Sequence, residues 1–204
     1  MKSPLLHIGG LGRAFVLAVS MASVVVGCGG EIASTTEGSY VGHLSNSDAD
    51  IAVVADGSSL VAYVCGGSQS YSTLTRWFIA DPQNGLHVER DGWVLDGSLG
   101  SEGWQGTLLS PEGQSFPWAA SMVSAGSDAG LYQANSESGK AGVIVHESGE
   151  QIEIQGAYRE KIGRVLQVTP VMPIHVEAGS LLVSVSQPDG EQTFRVERVY
   201  TAAH

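Results

Sequence analysis

The sequence predicts an all-β fold: an antiparallel β-sandwich or up-and-down β-barrel of about ten strands, preceded by the helix of a signal peptide. Three observations carry this. Asn or Asp precedes Gly at Asp56-Gly57, Asn84-Gly85, Asp91-Gly92, Asp96-Gly97 and Asp189-Gly190, and such pairs tolerate the positive φ angles of two-residue hairpin turns. Short runs rich in β-branched and aromatic residues lie between them, the composition of strands. Beyond residue 38 no stretch combines helical spacing with caps.

The expected strands are, in order, 51–55 (IAVVA), 60–65 (LVAYVC), 74–80 (LTRWFIA), 93–95 (WVL), 104–109 (WQGTLL), 142–146 (GVIVH), 151–158 (QIEIQGAY), 164–169 (RVLQVT), 181–186 (LLVSVS) and 193–200 (TFRVERVY). The 51–65 hairpin is apolar on both faces, which predicts a central position with cover on each side. In 152–158 the residues Ile152, Ile154, Gly156 and Tyr158 share one face, and Glu153, Gln155 and Ala157 the other, the period of a half-buried strand. Pro170, Pro173 and Pro188 bracket the last strands and mark an edge or an irregular crossover. A change of composition at 135–141 (NSESGKA) could divide the fold there. With 204 residues and 43% hydrophobic content, one domain over 39–204 has enough apolar material for a core.

The amino-terminal region follows a different logic. Lys2 and Arg13 flank a start without acids, and residues 14–26 (AFVLAVSMASVVV) carry no charge. A thirteen-residue helix spans about 20 Å, short of the ~30 Å hydrocarbon core of a bilayer, so 1–27 reads as a signal peptide. Val25-Val26-Gly27-Cys28 resembles the lipobox of bacterial lipoproteins, with Val25 where Leu is more usual and a bulkier Val26 than the common Ala or Ser. The resemblance implies cleavage between Gly27 and Cys28, a diacylglyceryl thioether on Cys28, and acylation of the new amino terminus. A single acyl chain binds membranes marginally, whereas two or more persist. Gly29 stands where the resemblance would place Asp for inner-membrane retention, so the outer membrane is expected if the cell has two. Residues 28–38 are small and polar, a tether.

From Cys28 onward 21 acids face eight bases, a formal charge of −13. Such a surface repels phosphate backbones and anionic lipid, so nucleic acid is excluded as a partner and membrane attachment must come through Cys28.

The region after the tether is also similar to a type of secreted bacterial domain without assigned activity, through Tyr63-Val64-Cys65-Gly66, Trp77-Phe78, Gly130-Leu131-Tyr132 and Gln155-Gly156-Ala157. That resemblance implies a shared fold and no function.

Few residues suggest chemistry. With Cys28 lipidated, Cys65 has no disulfide partner, and its apolar run makes it a small core residue. His43, His87, His146, His175 and His204 show no paired-ligand spacing. His146-Glu147 matches the first two positions of the zinc-protease pattern HExxH, but residue 150 is Glu and Ser148-Gly149 reads as a turn. Asn46, Asp48 and Asp50 alternate like a calcium loop, yet Ile51 and Gly57 occupy its glycine and glutamate positions, so a solvated turn is expected. Ser101 and Ser110 lack the glycines of a nucleophile elbow, and Gly139-Lys140 lacks the rest of a phosphate loop. No cofactor, metal or catalytic residue is therefore expected. Trp77, Trp93, Trp104 and Trp118 are either core or an aromatic platform for ligand contact. The function expected is a non-catalytic binding or display domain, lipid-anchored in the bacterial envelope, with a small molecule, sugar or protein as ligand. An envelope hydrolase and a structural envelope protein are the alternatives.

Overall fold

The computed structural model describes residues 37–82, 85–149, 151–188 and 190–200. The signal peptide with Gly27 and Cys28, and the tether up to residue 36, lie outside the described residues. Fourteen strands and one single-turn helix are described. The first eight strands are β1 (Gly38–Leu44), β2 (Asp50–Ala55), β3 (Leu60–Cys65), β4 (Arg76–Ala80), β5 (Leu86–Arg90), β6 (Trp93–Gly100), β7 (Gly103–Leu109) and β8 (Ser115–Met122), with helix α1 (Tyr71–Leu74) before β4. Six more follow: β9 (Gly130–Asn135), β10 (Gly139–Ser148), β11 (Gln151–Glu160), β12 (Val165–Pro170), β13 (Ser180–Gln187) and β14 (Gly190–Arg198).

All ladders are antiparallel and join two meanders. The first sheet has the order β4-β3-β2-β1-β8-β7-β6-β5, so the chain runs around it and returns with β8 beside β1. Its two edges, β4 and β5, approach without a ladder, and Arg90 donates to the Trp77 carbonyl (3.3 Å) across that seam. The eight strands thus form a nearly closed barrel. β9 to β14 form a second barrel, closed by the β14–β9 ladder. Closure protects strand edges from pairing with other chains. Among the described residues no helix is long and apolar enough to cross a membrane.

The expected all-β, antiparallel architecture is present, but with fourteen strands rather than about ten. Each of the ten expected runs contains a strand, although Leu74 ends α1 rather than opening β4, and Val199 and Tyr200 lie beyond β14. The additional four, β1, β5, β8 and β9, hide behind glycine, charge or proline. β8 contains Pro117, whose carbonyl accepts from Ser45 N (2.7 Å) where the β1 ladder ends. The proline nitrogen faces the same way, beyond the last pair, so its missing N–H breaks no ladder. The passage between barrels falls at 123–129, and residues 135–141 lie in the β9–β10 hairpin. The Pro170–Pro188 region holds an irregular connection between β12 and β13 rather than a free edge.

Three cores hold the strands. One fills the first barrel, with Tyr40, Ile51, Leu60, Phe78, Leu95 and Leu108 among its members. Another fills the second barrel around Tyr132, Tyr158, Val143, Leu181 and Val196. The third lies between the barrels and unites Ala52, Val54, Tyr63 and Cys65 with Leu131, Ile144 and Ala157. Every residue of β2 and β3 is buried. Ile51, Val53, Ala62 and Val64 point into the first barrel while Ala52, Val54, Tyr63 and Cys65 point at the second. Cover on both faces is why this hairpin is apolar throughout. On β11, Ile152, Ile154 and Tyr158 face the second core and Ala157 the third, as the alternation predicts.

The Asp-Gly rule holds in full at one pair, Asp91-Gly92. Asp56-Gly57 opens a four-residue loop in which only Gly57 has positive φ, and Asn84 and Asp189 lie outside the described residues. Asp91 and Gly92 both have positive φ (53° and 77°) between β5 and β6, the two-residue turn expected of that pair. Asp96-Gly97, expected as a turn, lies instead inside β6, paired with His87 and Leu86 of β5. A Cβ at Gly97 would stand 2.6 Å from the Trp118 ring. This glycine makes room for an indole rather than for a bend.

Cys65 is fully buried, its sulfhydryl 3.6 Å from the Gly66 carbonyl. Burial pushes its thiol up to about 12, and disulfide exchange needs the thiolate. In the folded chain Cys65 should therefore stay unmodified by an aromatic disulfide reagent at pH 8 and react at once in denaturant. Stoichiometric labelling of Cys65 without denaturant, read by peptide mass spectrometry, would contradict this.

Candidate functional site

Two of the gatherings of polar side chains combine charged groups with histidine or tryptophan. The first lies at one end of the first barrel, where the β1–β2 loop, the 67–74 segment and the β7–β8 loop meet. They enclose a groove of about 620 Å³. Leu74, Trp93 and Phe116 supply apolar surface, and Asp48, Gln69, Arg76 and Glu112 are among the polar groups around it. The Arg76 guanidinium lies 3.6 Å over the Trp93 ring, a cation–π contact. Arg76 also donates to the carbonyls of Leu74 (3.2 Å) and Thr73. Burial, then the nearby Arg159, pushes the Arg76 guanidinium down to about 10. Burial raises the Asp48 carboxyl, but donation from Ser70 Oγ and Gln69 N outweighs it and holds the group below the usual carboxylate range. The groove therefore sets a fixed anion and a cation around an indole.

The second place lies where the barrels touch. The β1–β2 register sets His43 opposite Asp50, and β10 brings in His146 from the second barrel. His43 Nδ1 donates to Asp50 Oδ1 (2.6 Å) and His146 Nε2 to Asp50 Oδ2 (3.0 Å). The rings stack with centroids 4.7 Å apart and planes 11° from parallel. Asp50 is buried, whereas the His43 side chain is 70% exposed. Further polar contacts tie the same interface. Gln155 Nε2 donates to the carbonyls of Cys65 (2.6 Å) and Asp48 (3.1 Å), and Arg159 to that of Thr75 (2.6 Å). A third pair, His87 with Asp96, lies exposed on β5 and β6; its hydrogen bond and the Asp96 charge raise the His87 imidazole.

The four tryptophans do not converge. Trp104 and Trp118 are buried in the first barrel, with indole nitrogens that have no hydrogen-bond partner. Trp77 packs on Tyr63 between the barrels, ring centroids 4.4 Å apart, under the Lys140 ammonium. Of the four, only Trp93 lines the groove. Asn46, Asp48 and Asp50 do not turn toward one point. Asp48 serves the groove and Asp50 the histidines. No strand is expected before residue 51, so the His43–Asp50 pairing, which the β1–β2 register sets, has no signal in the sequence. Nor has His146, because it comes from ninety-six residues beyond Asp50. Comparison with family models, with curated proteins and with solved structures gives no match.

Proposed function

We propose that this chain is a lipid-anchored envelope protein whose β domain binds a small ligand, with an apolar face and a hydrogen-bonding rim, in the groove at the end of the first barrel. The observation that carries the reading is the groove itself, about 620 Å³ with Trp93 beneath Arg76 and Asp48 fixed beside them. Its volume is in the ~300–1,000 Å³ range of small-molecule sites, and a few oriented polar groups on apolar surface are what such sites use for specificity. Sugars fit this chemistry. Their hydroxyls can bond Asp48, Gln69 and Glu112 of the rim, while their apolar face meets Leu74, Phe116 and the part of Trp93 that Arg76 leaves uncovered. The anchor is the part of the proposal that rests on Val25-Val26-Gly27-Cys28 alone.

The test is isothermal titration of the chain with a panel of neutral and amino oligosaccharides. Saturable binding is expected, weakened at least about tenfold by Trp93→Ala, the equivalent of about 1.4 kcal/mol. No saturable binding across the panel, or binding that ignores Trp93→Ala, counts against the groove. Mass spectrometry of the recovered sugar separates the alternatives: a hydrolase shortens it, a binding domain returns it intact, and a structural protein binds none.

A further inference from the structure

We propose that His43, Asp50 and His146 form a binding site for a divalent first-row transition cation, with zinc as the probe, and that the ion clamps the two barrels together. The donor set is two imidazoles and one carboxylate, a combination suited to zinc, copper and nickel more than to magnesium or calcium. The geometry is near that required. One ligand atom from each of the three residues can be chosen so that all lie within 4.8 Å of one another. Bonds of ~2.0–2.2 Å in a tetrahedral site need donors about 3.3–3.6 Å apart. The ion takes the place now filled by the hydrogen bonds at 2.6 and 3.0 Å from Asp50. The two nitrogens that donate there become its ligands, each neutral ring giving up that proton to water and taking one back on its other nitrogen.

One adjustment is necessary. Nearly parallel rings hold their lone pairs in separate planes, so an ion shared by both requires one imidazole to turn. His43 can turn: its side chain is 70% exposed and hydrogen-bonded to Asp50. His146, only 17% exposed, and buried Asp50 supply the fixed half of the site. Exposure on the His43 side leaves room for water at the remaining coordination position. The formal charge of −13 from Cys28 onward further favours cations near the surface. Because His43 and Asp50 belong to the first barrel and His146 to the second, coordination joins them and stabilises the pair by linkage.

The experiment is calorimetric titration of the full chain with zinc, paired with thermal melts and with the absorption spectrum of the cobalt form. Wild type should bind one equivalent and melt higher with zinc. His43→Ala, at an exposed position where folding is preserved, should weaken binding at least 10- to 100-fold, the cost of losing even an outer-shell partner. The same variant should lose the visible cobalt bands. His146→Ala should do likewise, while His87→Ala and Trp93→Ala leave zinc affinity unchanged, which separates this site from the groove. Zinc binding of undiminished affinity in His43→Ala, or no saturable binding in wild type, overturns the proposal.

Discussion

Gly142→Ala should destabilise the fold by about 2–4 kcal/mol by overpacking the seam between the barrels. A Cβ at residue 142 would stand 2.5 Å from Tyr63 Cζ and 2.8 Å from Trp77 Cζ2. Both are ring atoms of the first barrel, whereas Gly142 lies on β10 of the second. Neither ring can step aside. Tyr63 is fully buried and donates its hydroxyl to the Gly142 carbonyl (3.1 Å), and Trp77 lies between Tyr63 and Lys140. The methyl group must push the barrels apart or break the Tyr63 hydrogen bond. Overpacking costs ~1–3 kcal/mol and the lost bond adds ~1 kcal/mol. Urea unfolding followed by tryptophan fluorescence and by circular dichroism measures this. Coincident transitions are expected for wild type. In the variant the two probes should separate if each barrel keeps its own core. In a Tyr63→Leu background, where the ring is gone, the same glycine substitution should cost far less, a coupling a double-mutant cycle reads directly. A loss below about 0.5 kcal/mol would mean that the interface yields easily and is not the rigid joint its packing implies.

That joint also explains which parts of the fold were legible in the sequence. The 51–65 hairpin is apolar on every residue because it faces two cores at once, so its central place could be inferred before any partner strand was known. Period-two alternation in 152–158 marks one face for the second core, while the other carries exposed Glu153 and, at the seam, Gln155 and Ala157. Strands failed where a local rule was suspended by its neighbours. Pro117 argues against a strand until the end of the β1 ladder is seen to need no donor from it. Gly97 argues for a turn until Trp118 is seen to need the space. Sites were less legible than strands. The groove is built from loops far apart in sequence, and only Trp93 of the four tryptophans reaches it. The His43–Asp50–His146 cluster depends on a barrel-to-barrel contact across ninety-six residues, which no spacing rule contains. A short-range histidine pattern is therefore the wrong instrument for a side-chain cluster assembled from two barrels.

The second large effect is on where the protein is found. Cys28→Ala should move essentially all of it from the membrane fraction to the soluble fraction and abolish palmitate incorporation. Two properties make the expected change nearly complete. One is that each buried methylene of an acyl chain contributes ~0.8 kcal/mol, so a multiply acylated terminus holds persistently and its loss removes the whole anchor. The other is that electrostatics should not hold the chain to lipid: the −13 formal charge from Cys28 onward repels anionic headgroups. The domain should be indifferent to the change. The first described strand begins at Gly38, ten residues beyond Cys28, so the thermal midpoint of the variant should match that of the lipid-free wild type. Fractionation with metabolic labelling reads the first result, and calorimetry the second. Equal membrane recovery of the variant would remove lipidation as the means of attachment. A lowered midpoint would instead give the region around Cys28 a structural part in the domain, which the proposed tether does not allow.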